Sequence, residues 1–500
     1  MKSYALPAGI SLLLLASCSS TPVDRVAERA ARVQAFQTLQ PKLSIDLKKT
    51  YTLKDCIDLA CSNSLDLQIK STLEKIAKEK REASWFGMLP SLNLSANANK
   101  RSNDSGGSSF GIDDGKESLR PSSSSERTTY HASAEIALSA LDFGLAYLRT
   151  EGAHTQEELA QVSTDQAVAD LRMQVIQSYF AACAAQKFIA STEVRLKSCE
   201  EALARLEKLN ANQADPEETL RLRRDFLSSR LRAREFERSY KNHCLNLTSL
   251  MGVIPTDAIQ IDVASMAGEI KFPQQSVAEL TDIALRQRSE LRANDLQRHL
   301  AKLAENEKFL MMFPNVKLFA AWNADSNKYL YNQQWGEVGA QAMIDVMRLP
   351  ALKHELKAAE MESLGLAYRD AALSMAVIAQ VHIAANNLAE VRERLGYLDK
   401  ICELSRQERD LVSQRLAKGQ STEIQLAEKE LQLSVSELDQ LNALGNCHIA
   451  YYRLMNTSGI SSLMMPDGST ATYDREACLK LLGTRPGIVA LLKEELEKKE

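Results

Sequence analysis

Nine cysteines, seven histidines and 65 carboxylates supply the raw material for catalysis or metal binding, so their spacing is the first test. None of the cysteines falls in a C-x-x-C pair or in a Cys/His cluster with zinc-ligand spacing. His354-Glu355 lacks the second histidine that a helical H-E-x-x-H metal site requires. Neither a G-x-S-x-G nucleophile elbow nor a phosphate-binding P-loop occurs. The scattered histidines read as helix-surface or packing residues. Nothing in these spacings points to an enzyme, a cofactor or a metal.

The remaining chemistry is covalent modification. Met1 and Lys2 give a charged start, and Ala5 to Ala16 is almost wholly apolar, the pattern of an export signal over residues 1–17. Its ending, Leu15-Ala16-Ser17-Cys18, resembles a bacterial lipobox, in which cleavage precedes a cysteine that is then acylated; an ordinary secretory signal with an incidental cysteine is the alternative. Acyl chains on Cys18 would hold the mature N-terminus at a membrane surface. Ser19 follows where lipoproteins retained at the inner membrane often carry Asp, which favours the outer membrane. The other cysteines, Cys56, Cys61, Cys183, Cys199, Cys244, Cys402, Cys447 and Cys478, lie mostly on apolar sides of helical patterns and read as packed thiols. Cys56 and Cys61 are close enough in sequence for a bridge to be conceivable.

The elements that must position any function are unusually long. The 500 residues carry a formal net charge of -4, with 45% hydrophobic and 25% charged residues, which excludes a disordered chain and a basic nucleic-acid binder. Only 20 glycines and 12 prolines punctuate that length. After the signal there is no uninterrupted apolar run long enough for a spanning helix, which leaves a closed β-barrel as the other way to cross a membrane. Residues 18–50 read as a polar tether. From Tyr51 a helical pattern runs to Leu89, and after Pro90 the sequence SLNLSANAN alternates with the period of a strand, about 91–99. Lys100 to Arg127 is Ser/Gly/Asp-rich and reads as an exposed flexible loop. A second strand, about 129–139, places Tyr130, Ala132, Ala134, Ile136 and Leu138 on one face. Helix pattern then fills Ala146 to Leu209, with Leu196, Cys199, Leu203 and Leu206 at coiled-coil spacing, a stretch of roughly 95 Å. After the turn Asn210 to Pro216 a second long helix returns to Gly252, and residues 253–276 read as a linker.

The chain then repeats itself. Leu53–Asn99 lies on Val277–Asn323 without a gap, with identities at Asp58/Asp282, Leu67/Leu291, Lys78/Lys302, Pro90/Pro314, Leu94/Leu318 and Asn99/Asn323. Pro314 opens a strand at about 315–323, with Val316, Leu318, Ala320 and Trp322 on one face. Another follows at about 335–345, with Val338, Ala340, Ala342 and Ile344 on one face. The first repeat spans 51–252, the second 277–459, and 460–500 is an extension. Four strands of this length and alternation match membrane-spanning strands. They cannot close a barrel alone, and open edges are not tolerated in lipid. Three copies would supply twelve strands, within the range of membrane barrels.

These features together resemble the TolC-like outer membrane efflux family. The residues that carry the resemblance are TLKDCIDLACSNSLDL (Thr52–Leu67), the junctions at Pro90 and Pro314, RSELRANDLQRHLAKLAENEKFLMMFPNVKL (Arg288–Leu318) and RLAKGQST (Arg415–Thr422). The resemblance implies a mainly α protein with membrane β: a trimer with a 12-stranded barrel above a long α-helical coiled-coil tunnel through the periplasm. It further implies a passive exit duct in a tripartite efflux or type I secretion system, working with a periplasmic adaptor and an inner-membrane pump. Halves of the family commonly open with Asn-Pro or Arg-Pro, where this chain has Asn63-Ser64 and Arg288-Ser289. Two aspartates constrict the closed tunnel of the founding member; their positions here carry Gln425 and Glu428. With Asp215, Glu217 and Glu218 near the other turn, these are the constriction candidates, because three-fold symmetry turns one inward charge into a ring. Lys418, Gly419, Gln420 and Ser421 form an exposed tip that an adaptor would meet first. A lipid-anchored periplasmic coiled-coil scaffold or adaptor without a pore is the alternative, and the two equivalent amphipathic hairpins argue against it.

Overall fold

The computed structural model describes residues 25–39, 44–108, 110, 112–117, 120, 122–208, 216–267, 275–466 and 468–482. The signal peptide, Cys18, the first turn with Asp215, and residues 483–500 lie outside them. Two compact units result, residues 70–166 with 277–381, and residues 1–69, 167–276 and 382–500.

The element order is α1 (Arg25–Leu39), β1 (Thr50–Tyr51), α2 (Leu53–Asn63), α3 (Leu65–Trp85), β2 (Ser91–Lys100), β3 (Ser105–Gly107), β4 (Ser122–Ser125) and β5 (Thr128–Ser139). Two long helices follow, α4 (Ala140–Lys208) and α5 (Pro216–Leu250), and then β6 (Gln260–Ile261). The order recurs with α6 (Val277–Gln287), α7 (Ser289–Leu310), β7 (Asn315–Asp325), β8 (Gln334–Met343), α8 (Leu349–Ala417) and α9 (Glu423–Thr457). A hairpin of β9 (Ser462–Met464) and β10 (Thr470–Thr472) and the helix α10 (Arg475–Leu482) complete the described chain. The long helices α4 and α8 each have 69 residues, and α5 and α9 each have 35.

In the strand-bearing unit, the four long strands form one antiparallel sheet in the order β2-β5-β7-β8. Each of β2 and β7 is entered through a proline. Phe86–Met88 tightens into a 3-10 turn, Leu89 becomes extended, and Pro90 leads into β2. Pro314 stands in the same way between a turn closed by the Phe313 N–H on the Leu310 carbonyl and the start of β7. Ion pairs hold the helices of this unit side by side: Arg81–Glu157 (2.8 Å) joins α3 to α4, and Arg149–Glu307 (3.1 Å) joins α4 to α7. Lys308–Glu355 (2.7 Å) joins α7 to α8.

In the helical unit, α2 is capped by Thr52, whose side chain accepts from the Asp55 N–H while Asp55 accepts from the Thr52 N–H, a capping box. Ser64 stands where the resembling halves carry proline, and its hydroxyl caps α3 by accepting from the Leu67 N–H at 3.3 Å. Linker strand β6 pairs in parallel with β1, so the segment between the halves returns to the start of the fold. Farther along, Cys199 of α4, Leu222 and Phe226 of α5, and Ile424, Ala427 and Leu431 of α9 form one buried cluster. These are the apolar stripes of three neighbouring coiled-coil helices.

Three expectations need correction. Tether residues 25–39 are helical, with Ala35 and Leu39 buried. The Ser-rich segment contains the β3–β4 hairpin, held by Arg127 on both carboxylate oxygens of Asp104 at 2.6 Å. Strand β8 ends at Met343, because Asp345 caps a 3-10 turn by accepting from the Arg348 N–H; Ile344 is therefore outside the sheet. The extension after Gly459 folds, with α10 packed on α2. The sequence has no uninterrupted apolar run of that length, yet Val346–Ala417 contains a window of mean hydropathy 1.3, long and apolar enough to cross a membrane by length and composition alone.

The helix ends carry a sharp local constraint. Gly252 closes α5 with φ +65°, its N–H bonding to Ser249 while the Val253 N–H bonds to Thr248, a Schellman motif. A Cβ there would stand 2.5 Å from the Asn63 Cβ and 2.8 Å from the Asn63 carbonyl oxygen. Gly419 has the same conformation, φ +69°, with nothing within 4 Å. Gly252→Ala is thus expected to cost about 2–4 kcal/mol, strain plus overpacking. Gly419→Ala should cost only the strain. Denaturation midpoints of the two variants check the difference, and equal shifts would count against the Asn63 contact.

Candidate channel face and distal turn

The sheet has two chemically distinct faces. Direct partners across the strands share a face, so the register builds rows. One row is Leu94, Ala134, Trp322 and Gly336, and the next is Leu92, Ile136, Ala320 and Val338. Leu138, Leu318 and Ala340 continue the same face. It is apolar and open: Leu94 is 76% and Val338 87% exposed. Exposed aromatics lie towards both ends of the strands, Trp85, Phe86, Phe143, Phe309 and Phe313 near the helix junctions and Tyr130, Trp322, Tyr329 and Tyr331 towards the other end. That distribution is the one found at the two boundaries of a membrane barrel.

The opposite face is polar. Ser95 and Ser133 are hydrogen-bonded at 2.8 Å, and Lys317 pairs with Glu135 at 2.6 Å. His131 faces Asp325, Nδ1 to carboxylate 3.7 Å. Gly339 leaves room for the Phe319 ring, whose Cζ would be 2.5 Å from a Cβ at that position. A sheet with this division can separate lipid from water, with the outermost backbone groups of β2 and β8 left for other chains.

At the second turn the Gly419 N–H bonds to Leu416 and the Gln420 N–H to Arg415, both at 2.9 Å, another Schellman closure. Lys418, Gly419 and Gln420 are exposed and Ser421 is half-buried. Thr422 then caps α9 by accepting from the Gln425 N–H. The structure brings two candidates together here: the Ser421 hydroxyl donates to Gln425 Oε1 at 2.7 Å, which ties Gln425 back to the turn. Glu428 is half-buried, beside the buried Ile424–Ala427–Leu431 stripe. Glu217 is exposed in the first turn of α5, and Glu218 also lies in that turn.

Sequence reasoning missed an ion cluster shared by three helices. Glu437 of α9 accepts from Arg195 of α4 at 2.7 Å and pairs with Arg406 of α8 at 3.4 Å. Burial alone would push this carboxyl up, but the two guanidinium groups outweigh it and hold it below the ordinary range. Its members come from three helices far apart in sequence, so no spacing signal could have found it. Nearer the turn, Lys429 reaches Glu408 at 2.7 Å.

Comparison with known proteins bears on this arrangement directly. Residues 56–253 match the family model described as outer membrane efflux protein. That match covers less than half of the chain. No curated protein sequence matches. Among solved structures, the open state of the Neisseria gonorrhoeae MtrE outer membrane channel superposes with TM-score 0.66 at 17% identity, covering 82% of this chain and 89% of that one. The Vibrio cholerae outer membrane protein VceC gives 0.65 at 14% identity, covering 81% and 96%. The Campylobacter jejuni CmeC outer membrane channel gives 0.66 at 12%, covering 87% and 90%. At these identities the likeness is one of fold: mostly helical, with the sheet of a TolC-like outer membrane channel. The matched MtrE and CmeC structures are outer membrane channels, and VceC is an outer membrane protein.

Proposed function

We propose that this chain is a TolC-like outer membrane efflux protein, three copies of which close a 12-stranded barrel and form a passive exit duct, the outer component of a tripartite efflux or type I secretion system. The observation that carries this reading is the continuous, exposed apolar face across all four long strands, bounded by two unpaired edges. An open edge in lipid leaves backbone donors and acceptors unsatisfied at several kcal/mol each, so pairing of β8 of one copy with β2 of the next resolves both. Exposed apolar side chains on the long helices, such as Leu220 and Leu231 of α5 and Met375 and Ile383 of α8, support lateral packing between copies. That packing, and not a lipid span, is our account of the apolar window in α8.

In this reading the Ser95/Glu135/Lys317 face lines water, and Cys18 carries acyl chains in the same outer membrane. The tip Lys418-Gly419-Gln420-Ser421 meets a periplasmic adaptor, which couples the duct to an inner-membrane pump. Gln425 and Glu428, with Asp215, Glu217 and Glu218, surround the narrow end, where a ring of three like charges filters ions. Pro90 and Pro314 mark the six passages per trimer from periplasmic helix to membrane strand.

Planar-bilayer recording of the purified, detergent-stable trimer tests the reading. Stepwise conductance is expected. A verified trimer without conductance would overturn the duct in favour of a lipid-anchored scaffold or adaptor.

A further inference from the structure

The extension after Gly459 is fastened by buried chemistry that a channel does not need. Its helix α10 lies on α2. The Tyr473 hydroxyl donates to Asp58 of α2 at 2.9 Å. Arg172, only 4% exposed, donates to the carbonyls of Ser461 and Tyr473, which flank the β9–β10 hairpin, and to Asn456 Oδ1. In the middle of these contacts the Cys61 and Cys478 sulfurs are 2.7 Å apart, both thiols buried and 417 residues apart in sequence.

That separation is informative. Non-bonded carbon atoms settle at about 3.5–4.0 Å, and a disulfide needs about 2.05 Å. The pair is thus inside ordinary contact distance and short of a bond, with backbones already placed so that the side chains converge. Exported domains reach an oxidising compartment in which converging thiols are joined.

We propose that Cys61 and Cys478 form a disulfide in the exported chain, tying the C-terminal extension to α2. The inference rests on the export reading above. The step is thiol–disulfide exchange: a protein or small-molecule disulfide oxidant loses its S–S bond and takes up two protons and two electrons, and the Cys61–Cys478 bond forms as both S–H bonds break. Attack requires a thiolate. The hydrogen bond with the Cys478 sulfur, and after it burial, push the Cys61 thiol well up, with the Arg172 guanidinium opposing that rise. The bond therefore forms while α10 is docking, before the site closes, and afterwards the same burial shields it from reductants. Arg172 acts as a positioning residue, since it gathers both ends of the hairpin that delivers Cys478.

The test uses the full chain, extracted from the membrane fraction with thiols blocked by N-ethylmaleimide before denaturation, then digested and read by mass spectrometry. A Cys61–Cys478 cross-linked peptide pair is expected, absent after reduction and absent from Cys478→Ser, with the other described cysteines alkylated. Singly alkylated Cys61 and Cys478 in exported protein, or a Cys56–Cys61 bridge in their place, would overturn the proposal. If the chain does not reach the membrane fraction, the export reading fails and a second arm decides the pair. In that arm, denatured reduced protein is refolded with oxidised glutathione: the Cys61–Cys478 pair supports the proposal, and free thiols overturn it.

Discussion

Leu94→Arg should nearly abolish the assembled trimer in the outer membrane, while Ser95→Arg one residue away leaves most of it. The two positions sit mid-strand in β2 and differ only in face. Leu94 lies in the row with Ala134, Trp322 and Gly336 and is open to the surroundings, so in the proposed barrel an arginine there must enter the hydrocarbon. A lipid-facing arginine at the bilayer midplane costs about 2–4 kcal/mol. In a three-fold assembly the cost recurs in every copy, and a neighbouring β8 must still pair with the altered strand. Ser95 faces its partner Ser133 across the polar side, and its loss forfeits one hydrogen bond of about 1 kcal/mol. The measurement is the fraction of each variant recovered from outer membranes as trimer, against wild type. Val338→Arg, on the same face of β8, should behave like Leu94→Arg. Similar losses at Leu94 and Ser95 would mean that the faces are assigned the wrong way or that the sheet does not meet lipid.

The strands were the most legible part of the chain because a period of two forces a choice of face, and Leu92, Leu94, Val316 and Leu318 all make the same choice. Both prolines were legible for an equally local reason, since neither can continue a helix. The second turn was readable from Gly419, which supplies the positive φ that the Schellman closure demands. What escaped depends on partners distant in sequence. The SSSS run has poor strand propensity; it pairs because Arg127 and Asp104 clamp the base of its hairpin. Glu437 reads as one more helix carboxylate until α4 and α8 bring Arg195 and Arg406 to it. Cys61 pointed in sequence towards Cys56, and only the fold of the extension reveals Cys478. The candidate constriction was readable as positions, but the tie of Gln425 to Ser421 was not, because a glutamine side chain's direction depends on the cap that Thr422 makes.

The helical unit should lose stability as pH falls from about 6.5 towards 4, through His448. This residue of α9 is buried, its ring stacked on Phe180 of α4 at 4.5 Å with an angle of 2° between the planes. Burial holds its pKa down to about 4, only partly opposed by a hydrogen bond with the Met266 backbone, and its Nε2 has no partner among the described residues. In the unfolded chain the imidazole titrates near 6.5. Across that window the unfolded state takes up a proton that the folded state refuses, so protonation favours unfolding. The contribution is fully present above about 6.5 and is lost as pH drops, amounting to roughly 3 kcal/mol at the acid end. His448→Phe keeps the aromatic stack and removes the proton. Its larger ring shifts absolute stability through overpacking, so the informative quantity is the slope of unfolding free energy against pH. Wild type should be steeper than the variant between 6.5 and 4, and the curves should run parallel above 7. Carboxylates such as Glu437 also weaken the fold in acid, but their titration is common to both proteins and cancels in the difference. Parallel curves throughout would mean that His448 is hydrated or paired in the assembled protein, and that the seam between α4 and α9 is not closed around it.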